Sequence, residues 1–188
     1  MLSALSLESA RHRAKAFARR FAQAREGMNA VEFAMITPFM LALFFGANEF
    51  SNAMTIDRKV TAAANSVADL VAQAQTVDDS DIADVFDAAK AIIVPFPTSP
   101  IKVVVSSVVA DGQGKTTVAW SDGYATPPRA KGSAITLPNG IVTAGGSVIM
   151  SEVTYSYESP IGVAITGPIN LKDTFYLKPR RTLKVARK

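Results

Sequence analysis

An α+β fold, in which one long N-terminal helix packs on a small antiparallel sheet, is predicted by three features of this sequence. An uncharged apolar run from Phe33 to Asn48 is followed by residues whose apolar positions recur every three or four. A cluster of prolines, Pro95, Pro97 and Pro100, closes the helical half. Beyond it come four β-type runs separated by turn-forming residues, with no strand–helix–strand alternation of the kind a parallel sheet needs.

Counted back to Met28, the apolar stretch covers residues 28–48 with Glu32 as its only ionisable group. Twenty-one residues at about 1.5 Å each give roughly 30 Å of helix, the thickness of a bilayer's hydrocarbon core. Residues 28–48 are therefore expected to be a transmembrane helix, preceded by a leader over 1–27. Residues 49–76 continue it as an amphipathic helix, with Phe50, Ala53, Ile56, Val60, Ala63, Val67, Leu70 and Ala74 as the apolar stripe. Asp78, Asp79, Ser80 and Asp81 break that pattern and open a second helix running to about Val94, with Ala83, Phe86, Ala88, Ala89, Ile92 and Ile93 as its apolar face. The acidic start lacks the glycine turn and terminal glutamate of an EF-hand loop, so a solvated helix start is expected in place of a metal site.

Residues 77–178 form the α+β domain expected outside the membrane. Ile101–Ala110 reads as a strand buried on much of both faces, Asp111–Gly114 as a turn and Lys115–Ser121 as the returning strand, with Val118 and Trp120 available to the core. Residues 122–146 form a long Gly- and Pro-rich connection, of a length usually reserved for exposed or functional segments. Ser147–Tyr157 is a third strand, Pro160–Pro168 an irregular or helical bridge and Ile169–Lys178 a fourth strand. Residues 179–188 remain as a basic C-terminal tail. The G-Q-G-K-T around Gly114 is no phosphate-binding loop, because Val109 stands where the first glycine is required and the lysine opens a strand.

Glu32 needs an explanation, since a carboxylate held deep in hydrocarbon costs on the order of 2–3 kcal/mol. Three readings of the apolar run compete. A cleaved secretory signal is disfavoured because a cut after Ala47 puts Phe45 at position −3, where a small residue is needed. A plain uncleaved anchor suits the length but leaves Glu32 without a purpose. A cut between Gly27 and Met28 would create an α-amino group one helical turn from Glu32, on the same face. The amine could then pair with Glu32 of its own or a neighbouring subunit, and an intermolecular pair would set the axial register of packed helices.

Gly27, Glu32 and Phe33 resemble the processing site of prepilin-like proteins. The stretch E-G-M-N-A-V-E-F-A-M-I-T-P-F-M-L-A-L-F-F-G-A-N-E-F resembles the TadE/TadG family of pilus-assembly proteins over residues 25–72. It carries the V-E-F-A opening, Pro38, Gly46 and the Glu49-Phe50 exit. The resemblance implies a minor pilin or pseudopilin of a tight-adherence (Flp) pilus with a pilin-like fold. By that resemblance Gly27, Met28, Glu32 and Phe33 form the processing site, and Glu32, Pro38, Gly46, Glu49 and Phe50 belong to the assembly helix. It implies as partners the membrane, a prepilin peptidase, other pilins or pseudopilins and Tad assembly proteins. It also implies a location in a bacterial inner membrane. A rival role is an uncleaved membrane-anchored adaptor whose outer domain binds assembly or envelope proteins.

Charge divides the chain in the same places. The flank before Gly27 carries net +4 from Arg11, Arg13, Lys15, Arg19, Arg20 and Arg25 against Glu8 and Glu26; residues 28–177 carry net −6, and residues 178–188 carry +6. The basic flank keeps the N-terminus cytoplasmic and sends the C-terminal body across the membrane, into the periplasm on the family reading. The basic tail suits contact with its own acidic protein or with lipid headgroups, and no motif or aromatic interleaving points to nucleic acid. There is no cysteine, and the one histidine, His12, lies in the leader, so no Ser-His-Asp arrangement or histidine-rich metal cluster can form outside the membrane. No enzyme activity, cofactor, metal or small-molecule substrate is expected.

Overall fold

The computed structural model describes Lys15, Arg19, Arg20, residues 26–159 and residues 167–188. Most of the 1–27 leader, with Arg11, Arg13, Arg25 and His12, lies outside the described residues, as do positions 160–166 of the expected Pro160–Pro168 bridge. The chain divides into two compact units, the second being Asn48–Lys188.

Helix α1 runs from Glu26 to Gln73 and enters both units. In the first unit its side chains from Met28 to Phe45 face outward, and its most apolar 18-residue window has a mean hydropathy of 1.8 with none of it buried. In the second unit Ile56, Val60, Ala63, Ala64, Val67, Ala68, Val71 and Ala72 are fully buried. This face is rotated slightly from the expected stripe, because Phe50 and Leu70 are exposed while Ala64, Ala68 and Ala72 are covered. The alanines along this ridge belong to the same buried core as the inner residues of the sheet.

The helix stops at Gln73, three residues before the expected 76, because Thr76–Val77 turns into a short strand, β1. Helix α2 follows over Asp79–Ile93. Asp78 is its N-cap: its carboxylate accepts from the Ser80 and Asp81 N–H groups at 2.9 and 3.0 Å, and Asp81 accepts from the Asp78 N–H at 3.0 Å. This reciprocal box explains the acidic cluster as helix initiation. The ammonium of Lys59 closes the other end by donating to the Ile92 and Val94 carbonyls at 2.7 and 2.8 Å. Ile82, Val85, Phe86, Ala89 and Ile93 form the buried face, whereas Ala83, expected there, is exposed.

Strands β2 (Ile101–Ala110), β3 (Thr116–Tyr124), β4 (Ser147–Tyr157) and β5 (Ile169–Leu177) make an antiparallel sheet in the order β3-β2-β4-β5. Ile101, Val103 and Val105 of β2, Trp120 of β3, and Ile149, Val153 and Tyr155 of β4 join the helices in one core. Val108, Val148 and Met150 form a smaller cluster with Ile135, Leu137, Ile141 and Tyr176. The β2–β3 turn is held by Asp111, whose carboxylate accepts from the N–H groups of Gln113 and Lys115, both at 2.9 Å. Gly114 supplies the positive φ of +81° there.

Three sequence expectations are corrected. Strand β3 extends past Ser121 to Tyr124, because Asp122, Gly123 and Tyr124 pair with Val105, Val104 and Val103. The 122–146 connection is therefore shorter, and much of it lies against the sheet: Ala134 bridges to Thr117, while Arg129 forks onto Glu152 at 2.8 and 2.9 Å. Last, a parallel pairing exists after all, since β6 (Ala186–Arg187) joins β1 in a two-stranded ribbon. It draws the basic tail into the fold, where Val185 is buried and its carbonyl accepts from the Trp120 indole at 2.8 Å. Arg187 binds Asp122 and Asp79, and Arg180 pairs with Asp69.

Candidate functional site

Gly27, Met28, Glu32 and Phe33 occupy the opening turns of α1, so the Gly27–Met28 bond lies in helix. Met28 and Glu32 stand one turn apart on the same face. Met28 is 62% and Phe33 66% exposed, and among the described residues no group bonds the Glu32 carboxylate. A Cβ added at Gly27 would meet nothing within 4 Å, and the same is true at Gly46. Among the described residues neither glycine is required by packing.

Pro38 lies within the helix, where it removes the donor that would serve the Ala34 carbonyl. One residue earlier, the Thr37 hydroxyl donates to the Phe33 carbonyl at 2.6 Å. The hydroxyl reaches Phe33 and not the Ala34 carbonyl that Pro38 leaves without a donor, and back-bonding of this kind next to a proline favours a bend.

Glu49 and Phe50, paired in the sequence expectation, separate in the structure. Glu49 turns inward and accepts a hydrogen bond from the Tyr157 hydroxyl at 2.9 Å, whereas Phe50 is 67% exposed. Burial first, and then the bond to the Glu49 carboxylate, push the Tyr157 phenol up to about 12. Tyr157 is a residue that sequence reasoning missed: it reads as one more alternating strand position, and its partner lies 108 positions away.

The chain thus combines one apolar helix of membrane-crossing length with an α+β domain built on that helix's second half. A family model described as TadE-like protein matches residues 27–69, from the glycine of the candidate processing site to the buried face of α1. The chain carries a TadE-like segment, and such a segment implies a function associated with the Tad/Flp pilus and with the membrane. No curated protein and no solved structure matches the chain.

Proposed function

We propose that this chain is a pseudopilin or minor pilin of a Flp-type pilus, cut after Gly27 by a prepilin peptidase. Its helix then serves, without enzymatic activity, in assembly or initiation of an adhesive fibre. The N-terminus lies in the cytoplasm and the outer domain in the periplasm. The observation that carries the reading is the state of Glu32: a carboxylate at the head of an apolar helix, without a partner among the described residues, one turn from the amine that a cut after Gly27 would release. Gly27 fits as a peptidase requirement, since nothing among the described residues asks for a glycine there and its low helix propensity eases opening of the first turn around the scissile bond.

N-terminal sequencing of the protein from its native membrane is expected to begin at Met28. Gly27→Phe should leave a membrane-held precursor that retains the leader. Glu32→Gln keeps the shape and removes the charge, so it should insert normally and fail to support piliation. Normal processing and normal piliation in both variants would replace this reading with the uncleaved adaptor.

A further inference from the structure

The end of the outer domain where α1 enters exposes apolar side chains, with the exposed Glu158 beside them. Phe50 is 67% and Ile169 42% exposed. Ile169 pairs directly with Tyr157 across β4 and β5, and Tyr157 is bonded to Glu49 on the helix. Phe96 and Pro97 line an open cleft beside Tyr157. One short rim of the domain therefore gathers apolar residues from helix, sheet and loop.

The helix sets the height of this rim. The uncharged run ends at Asn48, and Phe50 lies two residues on, about 3 Å further along the axis. The polar layer of a bilayer is about 5–8 Å deep on each side. If the run fills the hydrocarbon core, Phe50 lies inside the headgroup layer, and helix tilt only lowers it further. The Glu49–Tyr157 hydrogen bond ties the end of β4 to the same level, and the β4–β5 register brings Ile169 with it.

We propose that this rim, with Phe50 and Ile169 at its surface and the buried Tyr157 tying sheet to helix beneath them, is a lipid-contact surface that seats the outer domain on the headgroup layer. The proposal rests on residues 28–48 spanning the membrane, as in the function proposed above. The opposite end of the domain provides its control. Ser147 begins β4 and its hydroxyl bonds the Leu183 carbonyl, which puts Leu183, 85% exposed, roughly 33 Å of strand away from Tyr157.

The chain has no cysteine, so single spin labels can be placed without a competing thiol. Full-length Met40→Cys, Ile169→Cys and Leu183→Cys proteins, labelled and reconstituted in phosphatidylcholine vesicles, would be compared for collision with a water-soluble nickel relaxant. The label at 169 should be several-fold less accessible than the label at 183, and should stay so when the protein-to-lipid ratio is lowered tenfold. Equal accessibility at 169 and 183 would overturn the proposal. So would protection at 169 that disappears on dilution, which would mark a contact between copies. A label at 40 shielded in lipid while 169 is open would sink the rim alone, whereas a water-accessible label at 40 would sink the span on which it rests.

Discussion

Glu32 and Glu49 are carried by the same helix and meet opposite fates. Glu49, in the second unit, accepts from Tyr157, and several other charges beyond it have a partner inside the chain. Asp69 holds Arg180 and Gln73, Asp78 caps α2, Asp122 holds Arg187, and Glu152 holds Arg129 and Lys172. Burial works against the charge on Glu152, yet the bonds from Arg129 and Lys172 hold its carboxyl below the usual carboxylate range. Glu32, Gly27 and Gly46 have no such internal account among the described residues. The difference separates two regions: the α+β domain uses several of its polar groups for internal pairing, while among the described residues Glu32, Gly27 and Gly46 make no such contact, which is what the proposed assembly role draws on.

The comparison breaks most visibly at Trp120. Its ring fills the core between sheet and helices, and its indole N–H is the donor to Val185 in the folded-back tail. Trp120→Ala should destabilise the outer domain by about 3–5 kcal/mol through the cavity and the lost bond together. Thermal unfolding of the detergent-solubilised protein measures this, and a loss below about 1 kcal/mol would show that the tail and sheet are not one cooperative unit with the helix.

Much of that outer domain was legible in advance, and the parts that were not share a cause. The buried positions of α1 at Ile56, Val60, Ala63 and Val67 follow from helical period, and β2 and β4 from their apolar runs, because these signals are local. The β1–β6 ribbon has two residues in each strand, too short to carry any period, and joins positions more than a hundred residues apart. The extension of β3 to Tyr124 was hidden because Asp122 and Gly123 read as turn residues; in the fold Asp122 pairs with Arg187, which returns from the far end of the chain. The candidate processing site was legible for the opposite reason. Gly27, Met28, Glu32 and Phe33 depend on spacing along one exposed helix, and no folding was needed to bring them together.

A smaller effect is expected at the junction of the two regions. Tyr157→Phe removes one hydrogen bond to a half-exposed carboxylate and leaves the ring in place, so the outer domain should lose about 1 kcal/mol. The wild-type protein should show a matching alkaline limb. The phenol is raised in the folded state, so its contribution is complete below the ordinary tyrosine value near 10 and is lost as pH climbs through about 12. Tyr157→Phe should flatten that limb between pH 10 and 12 in unfolding curves. An unchanged limb would mean that Glu49 and Tyr157 do not hold each other in solution.

The smallest effect is expected at Gly46, and it sharpens the comparison most. The surroundings of Gly46 within this chain are open, so Gly46→Ala adds a methyl group that touches nothing internal. Unfolding of the outer domain should shift by less than about 0.5 kcal/mol, as for a substitution away from any packed or bonded feature. Helices that approach one another in a membrane do so most closely where a residue is small, and a methyl group there holds them apart. Crosslinking yield between labelled helices in vesicles should therefore fall in Gly46→Ala while the melting curve stays fixed. A shift of more than 1 kcal/mol in the melting curve would show that the span is coupled to the outer domain's stability, and the division drawn from Glu32 and Glu49 would not hold.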